Sequence, residues 1–335
     1  MRTLSTSTLL VTGGMGFMGS DFIRYLLCDT DFRGKIVNVD LLSYAANPEN
    51  LKSIHTSPRY AFIQVDITNA KQIDQIILEN EVDFIINFAA ETHVDRSIAE
   101  PSPFMDTNIR GTYTLLEAIR MYPHIHFHQI STDEVYGSLG EGGTFTESSS
   151  YRPNSPYAAS KASADHLVRA YINTYKISAT LSHSANNYGP YQFPEKFIPL
   201  MITNALRQKS LPVYGKGINI RNWIFVRDHS KAIYEILQKG RDSYNIGGLV
   251  EISNIDLLKK VLKILAEEER KSFKEYEKLI TFTDDRAGHD FRYSLDTTKI
   301  ERELGFYPMV QLEEGLRKTV RWYKKTGIKY SKCGA

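Results

Sequence analysis

Three groups of residues in this chain combine types and spacings that can do chemistry. Tyr157 and Lys161 stand four apart, behind Ser155 and Pro156. Ser155 can N-cap a helix and Pro156 suits its first turn, so the tyrosine and the lysine are expected on one helical face. A phenol with an ordinary pKa near ~10 is a poor base at neutral pH, and an ammonium one turn away favours the phenolate. Such a pair can move a proton to or from a hydroxyl. Asp133 and Glu134 are adjacent acids within Ser131-Thr132-Asp133-Glu134-Val135-Tyr136-Gly137. They are as compatible with a capping pair in a loop as with a division of acid and base labour.

The third group is Gly13, Gly16 and Gly19, set between an apolar run and a helical pattern. In that context the first glycine allows a tight turn, and the second lets backbone amides approach a pyrophosphate. The third lets the helix pack close to the sheet, with its N-terminal N–H groups toward the phosphates. Asp40 ends the next apolar run, 21 residues beyond Gly19. That is close to the roughly 20 expected of an acid that binds a ribose. A carboxylate there accepts hydrogen bonds from a free 2′-hydroxyl and repels a 2′-phosphate. Leu41-Leu42-Ser43 offers no arginine. The expected cofactor is therefore NAD rather than NADP; its positive nicotinamide joins Lys161 in favouring the Tyr157 phenolate, and the proton moved can accompany a hydride.

These groups need a scaffold. Strands are expected at 9–12, 36–40, 60–65, 83–88 and 127–131, with a sixth following 177–181. Helices are expected at 17–28, 70–80, 103–121 and 156–175. Alternating strands and helices predict an α/β fold with a doubly wound parallel sheet. Ligands then bind beyond the carboxyl ends of the strands, where all three groups fall. After about residue 185 the pattern loosens, and Asn186 to Pro190 reads as turn chemistry. Further helices are expected at 195–207, 228–238, 254–267 and 311–324, with short strands near 212–214, 223–226 and 244–246. This second, smaller lobe is expected to exchange segments with the first. The mixed charge run 267–278 reads as a solvated helix end or surface loop.

Composition limits the alternatives. The 335 residues carry 41 Lys plus Arg against 39 Asp plus Glu, a formal charge of +2. No broad basic field attracts nucleic acid. No apolar run approaches the ~18 residues of a membrane span. The two cysteines, Cys28 and Cys333, make no disulfide framework and no metal site. The polar Met1–Thr8 stretch is too short for a signal peptide, so the cytoplasm is the expected compartment.

Longer motifs carry a resemblance. Gly13-Gly14-x-Gly16-Phe17, Ala89-Ala90-Glu91-Thr92-His93-Val94-Asp95-Arg96-Ser97, Ser131–Gly137 and Tyr157-x-x-x-Lys161 resemble the extended short-chain dehydrogenase/reductases. Asn186 to Lys196 and Asp285-Arg286-Ala287-Gly288-His289-Asp290 narrow it: together they resemble the dTDP-glucose 4,6-dehydratases over nearly the whole chain. The Thr-Asp-Glu signature is the most diagnostic part, because related 4-epimerases normally lack the acid pair.

The resemblance implies a Rossmann-type NAD-binding domain over 1–185 plus about 218–240, with a sugar-nucleotide lobe over 186–217 and 241–335. It implies a lyase that removes water from a nucleoside-diphosphate hexose, dTDP-glucose before others, giving a 4-keto-6-deoxy sugar. Tyr157, with Thr132 and Lys161, would act at the C4 hydroxyl, Glu134 as base at C5, and Asp133 as acid at the C6 hydroxyl. Besides Gly13, Gly16 and Gly19, it places Phe17, Met18, Asp40, Asp66, Ile67, Ala89, Ala90, Thr107, Tyr157, Lys161 and Asn187 toward NAD. Thr92, Thr132, Asn186, Lys196, Arg221, Asn245 and His289 fall toward the sugar nucleotide. Arg221 also suits a diphosphate, since guanidinium contacts phosphate oxygens bidentately. A UDP-sugar 4,6-dehydratase, a sugar-nucleotide 4-epimerase and a non-catalytic NAD-binding scaffold are the alternatives. A homodimer through a four-helix bundle is expected, with Phe104, Leu115, Leu116, Ile119, Ala164, Leu167, Val168 and Tyr171 shared between core and partner. The chain departs from the family pattern at Thr92, His183, Ala185 and Ala287, and its 267–278 segment is longer than usual.

Overall fold

Leu9, Leu10 and Val11 are all fully buried, although successive strand residues point to opposite faces. A strand apolar on both faces belongs in the middle of a sheet covered on both sides. The computed structural model, which describes residues 3–326, puts it there. In chain order the strands are β1 (Thr8–Thr12), β2 (Lys35–Asp40), β3 (Tyr60–Gln64), β4 (Phe84–Asn87), β5 (His126–Thr132), β6 (Ser178–Ser184), β7 (Asn186–Tyr188), β8 (Leu211–Tyr214), β9 (Ile220–Phe225), β10 (Ser243–Ile246), β11 (Val250–Ser253) and β12 (Ile280–Thr283). Seven form one sheet in the order β10-β6-β5-β4-β1-β2-β3. Every neighbouring pair in it is parallel. The chain winds outward from β1 through β2 and β3, then from β4 through β5 and β6 on the other side. The reversal opens a crevice between the carboxyl ends of β1 and β4.

The second lobe holds a three-stranded sheet, β11-β9-β7, and a parallel pair, β12 and β8. Helices Phe197–Leu206, Asn254–Glu269 and Leu312–Thr326 pack on it around Trp223, Leu257, Val261, Leu316 and Val320. Strand pairing departs from the expected boundaries. β9, expected with the first unit, pairs with β7 and β11. β10, expected with the second, forms the edge of the large sheet beside β6. Between them, helix Val226–Lys239 packs on helix Phe17–Asp29, where Asp21 accepts from Arg227 and Ser230. Cys333 lies outside the described residues.

Two expected elements differ in form. The helix over 103–121 is a short turn Ser102–Phe104, a π-helical stretch Met105–Gly111, and an α-helix Thr112–Met121. Asn108 turns inward there to bond the backbone of Glu91 and the hydroxyl of Ser160. A Cβ on Gly111 would sit 2.4 Å from Ile67. The wider turn thus accommodates a polar anchor and a close approach at one place. The 267–278 run is not simply solvated. Glu267, Glu268 and Glu269 pair with Arg317, Arg321 and Lys324 on the last helix, and Tyr276 is buried.

Candidate active site

Helix Phe17–Asp29 begins at Gly16 with no side-chain cap, leaving its first N–H groups to a ligand or water. The glycines bring β1, that helix and β4 into contact. Cβ atoms on Gly13 and Gly19 would lie 2.6 Å from Ala89 N and 2.5 Å from Gly13 O. Gly13 also adopts φ +67°, which favours glycine. Asp40, buried at the end of β2, accepts from the N–H groups of Met15 at 2.9 Å and Leu42 at 2.8 Å. These bonds hold its carboxylate at the cleft while burial pushes its pKa up. Every residue assigned to the cofactor lines one cleft with a cavity volume of about 310 Å³, and so do all five assigned to catalysis. The uncapped helix end, the glycine cradle and the fixed acid fit a dinucleotide with a free ribose.

At the other end of the cleft, the Ser155 hydroxyl accepts from Ala158 N at 3.1 Å and caps helix Pro156–Tyr175, which carries Tyr157 and Lys161. Lys161 donates to Ile130 O at 2.6 Å, and burial lowers its pKa to about 8. Thr132 ends β5, accepts from Glu134 N at 3.3 Å, and bonds the Tyr157 phenol. Phe104 and Val94 pack against Tyr157. Burial, then the Glu134 charge, raise its pKa, and the Thr132 hydrogen bond only partly opposes them. The expected help toward the phenolate joins Lys161, one helical turn away, to the positive charge of a bound nicotinamide, and that second charge would have to offset this burial.

The acid pair behaves as the sequence could not decide. Asp133 is 2% exposed, and burial with the Glu134 charge pushes its pKa up to about 8. It therefore holds a proton at neutral pH. Burial also raises Glu134, but Arg286, Arg221 and Lys196 oppose the rise. One member is kept as an acid, and the other faces cations that favour its charge. Asp133 Oδ2, Asn186 Oδ1, Asn187 Oδ1 and Gln192 Oε1 are buried cleft acceptors without hydrogen-bond partners. Such atoms are uncommon unless a ligand or water satisfies them.

Not every substrate residue gathers here. Thr92, Thr132, Asn186 and Lys196 line the cleft, and Lys196 donates to Thr92 O at 2.7 Å. Arg221 is spent on the carbonyls of Ile220, Asp290 and Phe291, over the Tyr293 ring, and acts on the acid pair by its charge. His289 bonds Asp285 at 2.6 Å outside the cleft lining. Asn245 is a correction. It is fully buried in β10, accepts from Tyr136 and donates to Phe145 O and Asp296 O. It therefore joins the large sheet to its cover, fully buried and outside the cleft lining.

Comparison with known proteins decides the family. A family model described as GDP-mannose 4,6 dehydratase matches residues 10–319. The chain is 50% identical to a dTDP-glucose 4,6-dehydratase of Neisseria meningitidis, over 94% of this chain and 92% of that protein. The chain belongs to the dTDP-glucose 4,6-dehydratase family. A crystal structure of the family enzyme from Bacillus anthracis, in complex with NAD, superposes with a TM-score of 0.87 at 46% identity, covering 96% and 97% of the two chains. A UDP-glucose 4-epimerase of Thermotoga maritima shares the fold with a TM-score of 0.85 but only 28% identity, covering 95% and 99%. Fold alone thus does not separate dehydratase from epimerase; the sequence identity does.

Within this family site, several residues of the quoted motifs had no assigned role. Glu91, Ser131, Gln192, Phe193 and Glu195 line the cleft. Glu195 accepts from Tyr44 at 2.9 Å and lies 3.7 Å from Arg96, so three distant segments meet at the rim. Arg286 opposes the Glu134 rise more than any other charge. Its place in the quoted Asp285–Asp290 motif was the only available signal.

Proposed function

We propose that this chain is an NAD-dependent hydro-lyase that converts dTDP-glucose into dTDP-4-keto-6-deoxyglucose and water. One observation carries the reading: Asp133, its pKa raised by burial, and Glu134, faced by cations, line one cleft with Tyr157 and Lys161. When bound, NAD supplies the hydride acceptor at C4 and the donor at C6, with no net redox change. Tyr157, held by Thr132, takes the C4 hydroxyl proton. A ketone at C4 acidifies the C5 hydrogen, which Glu134 removes. Asp133 gives its proton to the C6 hydroxyl, which leaves as water, and Glu134 returns its proton to C5 as C6 is reduced, so that the C5–C6 double bond is saturated. The cleft's placement of these groups, rather than any one of them, would exclude side reactions.

Incubation with dTDP-glucose, UDP-glucose and related hexoses, followed by mass analysis, tests the reading. A product lighter by one water, with the alkaline absorbance band of a 4-keto-6-deoxy sugar, is expected from dTDP-glucose first. A product of unchanged mass with an inverted C4 would make the chain an epimerase. Release of mainly NADP from denatured protein would defeat the Asp40 argument.

The enzyme is further proposed to be a cytoplasmic homodimer. Most residues expected to serve both core and partner are buried within one chain, including Leu115, Leu116, Ile119 and Val168. Exposed Met105, Tyr113 and Tyr175 on the same helices support the dimer instead. A monomer mass by light scattering at micromolar concentration would exclude it.

A further inference from the structure

Behind the catalytic lysine lies a buried polar cluster that the proposed reaction does not use. Asp165 follows Lys161 by one helical turn and is fully buried. Its Oδ2 accepts from the Ser131 hydroxyl at 2.6 Å and from Tyr151 at 3.2 Å, with His183 Nε2 at 3.3 Å. Tyr151 in turn meets His183 Nε2 at 2.6 Å and accepts from Arg169 at 3.1 Å. Tyr157, Lys161, Asp165 and Arg169 thus form a row at four-residue spacing along one helix. A carboxylate so deep, in contact with groups from β5, β6 and the segment before the helix, is costly unless its charge serves a partner.

The partner is the lysine. Around Lys161 the titratable groups are Tyr157 and Asp165 on its own helix. Asp133 and Glu134, after β5, act on Tyr157, while Tyr151, His183 and Arg169 surround Asp165. Of these, Asp165 supplies the charge that counters the burial of Lys161.

We propose that Asp165 is a positioning residue: held by Ser131, Tyr151 and His183, its buried carboxylate keeps Lys161 an ammonium while Tyr157 moves its proton. The proposal deepens the proposed function and rests on it for the catalytic consequence.

The test reads Lys161 without turnover, so it stands even if the dehydratase reading fails. The protein, with its bound nucleotide, is labelled competitively with acetic anhydride across pH, and the Lys161 peptide is quantified by mass spectrometry. Asp165→Asn is expected to lower the labelling midpoint by about one unit or more, a tenfold change in the ammonium-to-amine ratio. Asp165→Glu should restore most of it. With dTDP-glucose turnover in hand, the alkaline limb of kcat should move down by the same amount, whereas a merely structural defect would lower kcat evenly across pH. Should Asp165→Asn aggregate, Asp165→Ser, which leaves room for water, gives the same reading. An unchanged midpoint in a folded charge-free variant overturns the proposal.

Discussion

At the scale of single residues, the cleft separates two tasks. Oxidation at C4 needs Tyr157 and Lys161, and loss of water needs Glu134 and Asp133. Tyr157→Phe should lower kcat by ~10²–10⁴, the usual cost of one placed proton-transfer group, with little reduced nicotinamide formed. Glu134→Gln should leave C4 oxidation possible, so that reduced nicotinamide builds up on mixing with substrate, visible near ~340 nm in stopped flow. Exchange of the C5 hydrogen with deuterated solvent should slow in the same variant. If Glu134→Gln dehydrates at the parent rate, Glu134 is not the C5 base. What the motifs could not reveal is the sign of each acid's perturbation. Two adjacent letters say nothing about which is buried against the other and which faces Arg286, Arg221 and Lys196.

At the scale of elements, the phosphate end depends on backbone proximity rather than on side chains. Gly19→Ala would force its Cβ against the Gly13 carbonyl, a backbone atom that cannot swing away. The expected outcome is weaker NAD retention, read as nucleotide released from the purified variant, together with a lower Tm. Elements of this first lobe were legible because their patterns are local and strong. β1 is apolar on both faces, helix 156–175 has its cap, and the glycines sit between strand and helix. β7, β11 and β12 were missed for a physical reason: they are short, partly exposed, and stabilised by strands from elsewhere in the chain. Phe282 in β12, for example, is 60% exposed, so no apolar alternation marks it. The π-helical stretch was equally silent, since Asn108 and Gly111 acquire their reasons only from Glu91, Ser160 and Ile67. Asn245 erred in the opposite direction. A family position pointed to the substrate, whereas β10 buries it in the large sheet.

Across the whole molecule, buried titrating groups set a window of stability. Burial lowers His126 to about 4 and His229 to about 3, and holds His128 well below its ordinary value. Folding keeps these rings neutral, so their contribution is complete above the unfolded pKa of ~6.5 and is lost as pH falls toward their folded values. Asp133 has the opposite sign. Its folded pKa is raised to about 8, so its cost is absent below ~3.8 and grows as pH rises toward 8. The parent protein should therefore lose Tm steeply below pH 6. Asp133→Asn should gain Tm at pH 8 while losing activity, and gain little at pH 4. Equal gains at both pH values would remove Asp133 as the source.

The strand β10 also has a consequence for how the chain is made. The catalytic residues are complete by Lys161, but the edge beside β6 remains open until residues 243–246 have emerged. The helix Thr298–Leu304 covers that edge later still, with Ile300 and Leu304 in the same core. During synthesis, therefore, β6 spends about sixty residues as an unsatisfied template, open to pairing with another nascent chain. A fragment ending at residue 240 should pellet on expression, and one reaching residue 310 should be more soluble although it lacks the last helix. Centrifugal fractionation of the two would distinguish a sheet closed by its late strand from one that stands without it.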